Sequence, residues 1–158
     1  MSKTSVCLNN LLDENYIKNE IIDKIPTPRF KLYYDTKGIQ IQDKDDLANF
    51  ITNTDEFNKN FISKKNHKYV YLLYNDNKCV YVGKAIDIKG RLKSHLFKRS
   101  DKTNSKIEKV VELLDANQGK LAIEIVVLDI FPAFLYSAVE GILINRYNTT
   151  NCWNEKES

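Results

Sequence analysis

The stretch from His67 to Gly83 constrains this chain more than any other. Tyr69-Val-Tyr-Leu-Leu-Tyr74 and Cys79-Val-Tyr-Val82 are runs of strand-forming residues, and Asn75-Asp-Asn77 between them has turn chemistry. Strands joined by so short a turn pair antiparallel, so the spacing predicts a β-hairpin. Side chains alternate across a strand, which puts Tyr69 and Tyr71 on one face, and Tyr81 and Gly83 on one face of the neighbouring strand. Beyond the hairpin, Ile86 to Phe97 reads as a helix with Ile88, Leu92 and Leu96 inward. Ser105 to Leu114 reads as a second, with Ile107, Val110, Val111 and Leu114 inward. The β-branched run Leu121 to Ile130 predicts a buried strand, and Pro132 to Tyr147 a third helix with proline near its start, where it is tolerated. The order ββααβα predicts an α/β (α+β) fold: a three-stranded mixed or antiparallel sheet flanked by helices.

The first 66 residues read as a small N-terminal α/β extension. Leu8 to Ile25 has helical spacing, stopped by Pro26 and Pro28. Phe30 to Tyr34 and Ile39 to Gln42 flank Thr36-Lys37-Gly38, a hairpin-like pattern. Asp45 to Phe61 returns to helical spacing, with Asp43 or Asp45 as its N-cap. Ser63-Lys-Lys-Asn66 is the natural boundary, dividing the chain into residues 1–66 and 67–158.

Several function classes fall away. No apolar run approaches the roughly 18 residues of a spanning helix, and the first residues lack a signal-peptide core, so no membrane partner is expected. Cys7, Cys79 and Cys152 form no CxxC pair, which excludes a disulfide framework or zinc knuckle and suits a reducing cytoplasm. His67 and His95 are too few and too distant for a histidine metal site, so any metal is held mostly by oxygen. Charge is uneven: residues 1–66 carry ten basic and ten acidic side chains, whereas 83–109 carry nine basic and three acidic. The nine are Lys84, Lys89, Arg91, Lys93, Lys98, Arg99, Lys102, Lys106 and Lys109. Such a cluster can follow a phosphate backbone, although many such runs are solvated helix faces.

Taken singly, the chemistry-bearing residues have bland readings. Tyr71 and Tyr81 suit core aromatics, and Arg91 and His95 a surface pair one helical turn apart. Glu140 suits a partly exposed helix residue, and Asn154 a tail. Their order joins them. Tyr69-Val-Tyr71, Tyr81-Val-Gly83, Arg91, His95, Glu140 and Asn154 together resemble the GIY-YIG nuclease superfamily, over residues 67–158. The run Tyr81-Val-Gly-Lys-Ala85 and the ending Trp153-Asn154 look closest to the branch with type II restriction enzymes and a bacteriophage endonuclease. Tyr69 stands where the first motif has glycine. Asn151 competes with Asn154 for the family asparagine, and the Trp-Asn pairing favours Asn154.

The resemblance implies an endodeoxyribonuclease that hydrolyses phosphodiester bonds, with Tyr71, Tyr81, Arg91, His95, Glu140 and Asn154 catalytic and Glu140 the metal ligand. One carboxylate fits a single hard ion per site, Mg²⁺ or Mn²⁺, that keeps most of its waters. Arg91 would grip the phosphate and Tyr81 orient water or phosphate. Tyr71 would serve as base only if positive charge from Arg91, Lys84 or the metal lowers its pKa. His95 would assist proton movement or touch phosphate. Lys84, Lys89, Lys93, Lys98, Arg99 and Lys106 are the expected DNA or phosphate contacts. A structure-specific repair nuclease and a non-catalytic DNA-binding module on the same fold are the alternatives. Phe30, Tyr33, Tyr34, Phe50, Phe57 and Phe61 exceed what a 66-residue segment buries alone, which points to a homodimer through that segment.

Overall fold

The computed structural model describes residues 29–43, 46–98 and 106–154. The helix expected over Leu8 to Ile25, and Cys7 and Arg99, lie outside these residues. In chain order the regular elements are β1 (Phe30–Asp35), α1 (Thr54–Asn60), β2 (Tyr69–Asn75), β3 (Lys78–Ala85), α2 (Ile88–Leu96), α3 (Ile107–Ala116), β4 (Lys120–Asp129) and α4 (Tyr136–Tyr147).

The hairpin β2–β3 forms as its sequence dictates. Asp76 and Asn77 both adopt positive φ, which aspartate and asparagine tolerate and which a two-residue hairpin turn with the twist of the strands requires. Tyr71 pairs with Gly83 and Leu73 with Tyr81, and a register shift follows between Leu73 and Tyr74. β2 is buried on both faces because it is central: β4 flanks it on one side and β3 on the other, both antiparallel.

The sheet has four strands, in the order β1-β4-β2-β3, not the expected three. The additional strand is β1, which pairs antiparallel with β4 from Phe30 opposite Ile125 to Asp35 opposite Lys120. The hairpin expected between Phe30–Tyr34 and Ile39–Gln42 does not form. Lys37 and Gly38 take positive φ and Ile39 N–H closes a turn onto Thr36 O, but the chain then leaves β1. The outer edge of β1 is taken instead by residues 51–53: Tyr34 bridges Ile51, Thr52 N–H donates to Tyr33 O, and the Asn53 amide bonds Lys31 O and Tyr33 N–H. This engagement also breaks the helix expected over 45–61. Ala48–Phe50 is one 3₁₀ turn, Ile51 is extended, and α1 starts only at Thr54. Asp45 lies outside the described residues; the Asp46 carboxylate accepts from Ala48 N–H just before that turn.

Two apolar clusters lie on the two faces of the sheet. One holds Tyr69, Tyr71, Leu73 and Tyr81 with Ile88, Leu92 and Leu96 of α2 and Ile107, Val110 and Leu114 of α3. Leu32, Tyr34, Phe57 and Phe61 of the N-terminal segment share that cluster. The other joins Val70, Leu72, Tyr74 and Val82 to Val139 and Leu143 of α4. α2 and α3 therefore cover one face and α4 the other.

The N-terminal aromatics bury themselves within the chain. Phe57 stacks obliquely against Phe61 and against Phe97 at the end of α2, with ring centroids 4.8 and 4.7 Å apart. Tyr34 donates from its hydroxyl to Leu96 O at 2.9 Å. Of the six residues that argued for a partner, only Tyr33 is exposed.

Candidate active site

β-Strand alternation and register bring Tyr71 and Tyr81 to the same face. Their ring centroids stand 5.9 Å apart, and both rings face His95 of α2, at 6.1 and 5.2 Å. His95 is buried rather than on the surface, because α2 sits low enough on the sheet to bury an arc wider than the Ile88–Leu92–Leu96 stripe. Arg91, one turn earlier, is exposed, yet close enough to Tyr71 to act on its ionisation.

Tyr71 is fully buried and its ring lies directly over Gly83. A Cβ at position 83 would collide with the ring carbon that carries the hydroxyl, so glycine is the only residue that admits the tyrosine here. Tyr81 and Arg91 both influence the Tyr71 hydroxyl, but no well-directed hydrogen bond satisfies it. Burial, then repulsion from Tyr81, push its pKa well above the usual 10, and the Arg91 guanidinium only partly offsets them. Arg91 acts in the direction that a tyrosine base requires, but in the free protein desolvation outweighs it. Lys84 lies on the opposite face, its Nζ donating to Ser137 Oγ at 2.9 Å and standing 5.4 Å from the centre of the Tyr136 ring.

Lys106 is 3% exposed, with its Nζ 5.3 Å from the centre of the Tyr81 ring. It is a buried side chain beside the tyrosine pair, not a solvated helix lysine. Lys89 and Lys93 are half-buried on α2, and Lys98 is exposed just beyond it.

Asn154 reaches the free edge of β3. Its side-chain oxygen accepts from Val82 N–H and its amide donates to Val82 O, both at 2.9 Å, while Trp153 N–H donates to Val80 O. The amide thereby imitates a neighbouring strand beside Gly83 and pins the edge on which Tyr81 stands. Asn151 is exposed, and its side-chain amide donates to Asn148 Oδ1 at 3.0 Å.

Glu140 is half-buried on α4, one turn after the Ser137 that holds Lys84. It belongs to the helix that covers the sheet face opposite Tyr71, Tyr81 and His95. Among the described residues no group of three or more His, Cys, Asp or Glu side chains could cage a metal. The donor chemistry suits a hard ion that keeps its waters and takes one carboxylate.

Features that carry no motif hold the site. Asp87 caps α2 by accepting from Gly90 N–H, and Ser63 Oγ accepts from Ile88 N–H, so the N-terminal segment anchors the start of the helix that bears Arg91. Asp87 three residues before Gly90 was a legible capping signal; Ser63 had none.

Residues 67–155 match the GIY-YIG catalytic domain. The chain belongs to the GIY-YIG family. It therefore carries a nuclease domain, on the open antiparallel sheet flanked by helices described above. No curated protein and no solved structure matches the chain. Among the described residues no helix is long and apolar enough to cross a membrane.

Proposed function

We propose that this GIY-YIG chain is a Mg²⁺-dependent endodeoxyribonuclease of restriction-like or phage type, cutting duplex DNA in the cytoplasm. The observation that carries the reading is the Tyr71 hydroxyl, buried without a well-directed hydrogen bond between Tyr81 and Arg91. A buried polar group left so costs stability, and such a cost is retained where a ligand completes the site.

Arg91 binds the scissile phosphate, its exposure leaving the guanidinium open to a polyanion. Tyr71 directs the attacking water and takes its proton in the ionised form, with Arg91 favouring that form. Tyr81, held between His95 and Lys106, orients the phosphate. His95 relays protons behind the two tyrosines. Asn154 keeps the β3 edge in register. Glu140 would hold one Mg²⁺ or Mn²⁺, which supplies charge neutralisation at the phosphate and leaving oxygen. Lys84, Lys89, Lys93, Lys98, Arg99 and Lys106 add positive charge along the substrate path. Residues 67–158 form the nuclease module, and residues 1–66 brace it through β1 and α1.

One site per chain cuts one strand at a time, so duplex cleavage calls for a homodimer or for two encounters. Tyr34, Phe57 and Phe61 are buried within the chain, so among the described residues these three offer a dimer no surface, whereas Tyr33, Ile39 and Ile62 remain exposed. The test is incubation with supercoiled plasmid and Mg²⁺, with EDTA as control. Metal-dependent nicking supports the reading; a metal-independent gel shift without cutting replaces it with a binding module.

A further inference from the structure

The loop between β4 and α4 holds two aromatic side chains that the fold does not use. Phe131 is 88% exposed and Phe134 63% exposed, while every other phenylalanine among the described residues is buried or half-buried. Ile130 and Leu135 of the same loop are buried and hold it down. Ile130 N–H also donates to Lys68 O, beside the start of β2. The loop is thus anchored without its phenylalanines.

Its surroundings are cationic. At the foot of the loop the Tyr136 ring lies between Lys68 and Lys84, whose Nζ atoms stand 4.8 and 5.4 Å from its centre. Asp129, the adjacent carboxylate, is engaged by His67 at 2.7 Å. The loop leads directly into α4, and Glu140 lies one turn beyond Tyr136.

We infer that this loop is a base-stacking wedge. Phe131 and Phe134 stack on nucleobases of the DNA substrate beside the scissile phosphate, while Lys68 and Lys84 hold the flanking phosphates. Flat apolar rings flanked by cations match a polyanion that carries its own π faces. The inference rests on the reading of DNA as substrate and extends it to DNA whose bases are unstacked at the cut.

The test uses the full chain carrying Phe131→Trp, titrated with a short mixed-sequence duplex and, separately, with heparin. Wild type is titrated alongside, since the native Trp153 is buried. Stacking predicts that the introduced indole is quenched by the duplex and not by heparin, which has charge but no bases. In a second arm, Phe131→Ala with Phe134→Ala binds the duplex about 5- to 150-fold more weakly for each stacked base lost. Both side chains are exposed, so the variant folds, which a melting curve checks. Absence of quenching, equal quenching by heparin, or unchanged affinity in the double variant overturns the wedge. So does a blue shift with phosphatidylglycerol vesicles and none with duplex. If wild type nicks plasmid while the wedge tests fail, the wedge alone falls; if wild type neither binds nor nicks DNA, the nuclease reading falls with it.

Discussion

The ring of Tyr71 on β2 rests on the bare Cα of Gly83 across the β3 pair, in a space that no Cβ can share. The glycine of the second half-motif thus exists for the tyrosine of the first. Gly83→Ala forces the ring aside. Overpacking of this kind costs about 1–3 kcal/mol, within what a domain of this size tolerates. Cleavage falls much further, by about 10²–10⁴-fold if Tyr71 does acid–base work. Plasmid nicking rates beside a urea unfolding curve check both parts, and normal turnover in the alanine variant would separate ring position from catalysis.

Tyr71→Phe loses activity on the same scale, whereas Tyr74→Phe does not. Tyr74 belongs to the cluster on the other sheet face, where the Arg29 guanidinium lies over its ring at 3.8 Å. The pH profile adds a sign. A tyrosine held above 10 is scarcely ionised at neutral pH, and its ionised fraction grows about tenfold per pH unit. The wild-type rate therefore climbs from neutral pH to pH 9 without a plateau. A profile that levels near pH 7 would remove Tyr71 as the base.

Much of this site was legible in the sequence. Period-two alternation placed Tyr69 with Tyr71 and Tyr81 with Gly83, and the spacing of the two runs across Asp76–Asn77 needed only turn chemistry to become a hairpin. The partner of β1 was not legible. Phe30 to Tyr34 reads as a strand, but its pairing with β4 spans some ninety residues of chain, and local pattern does not encode long-range pairing. The burial of His95 escaped for a related reason: a helical stripe shows which side faces inward, not how deep the helix sits. Desolvation of Tyr71 depends on that depth, so the rise of its pKa was not legible in the sequence. The exposure of Phe131 and Phe134 was not legible either, because composition does not report exposure.

Glu140→Gln is expected to abolish cutting while leaving DNA affinity within a few-fold of wild type. The carboxamide removes the negative charge that a hard ion needs but keeps the side chain's volume on α4. Anisotropy with labelled duplex, next to a nicking assay at raised Mn²⁺, separates the two roles. Equal loss of binding and cutting in a folded variant would make Glu140 structural.

Asn154→Ala removes both bonds to Val82 and frees the β3 edge, whereas Asn151→Ala touches only Asn148 among the contacts described. The first lowers stability by about 1–3 kcal/mol, two hydrogen bonds at about 0.5–1.5 kcal/mol each. It also lowers the nicking rate, because Tyr81 stands next to the loosened residue. The second changes neither by more than about 0.5 kcal/mol. Equal effects from the two substitutions would remove the edge-pinning role.

Tyr34 ties the N-terminal segment to the helix that carries Arg91 and His95, by the bond from its hydroxyl to Leu96 O. Burial raises its pKa well above the usual 10. In the unfolded chain the phenol ionises near pH 10, whereas the folded protein keeps the proton, so above that pH the folded state binds more protons. The stability Tyr34 contributes is therefore complete below pH 10 and is lost as pH rises toward its folded value. Tyr34→Phe costs about 0.5–1.5 kcal/mol at pH 7, through the missing bond and the orphaned Leu96 carbonyl. It also removes one of the protons that make wild-type stability fall in alkali. Urea unfolding from pH 7 to pH 11 should show the variant below wild type at neutral pH, with a shallower decline above pH 10. Parallel curves across that range would mean that Tyr34 ionises freely in the folded protein and that its burial is not what joins β1 to α2.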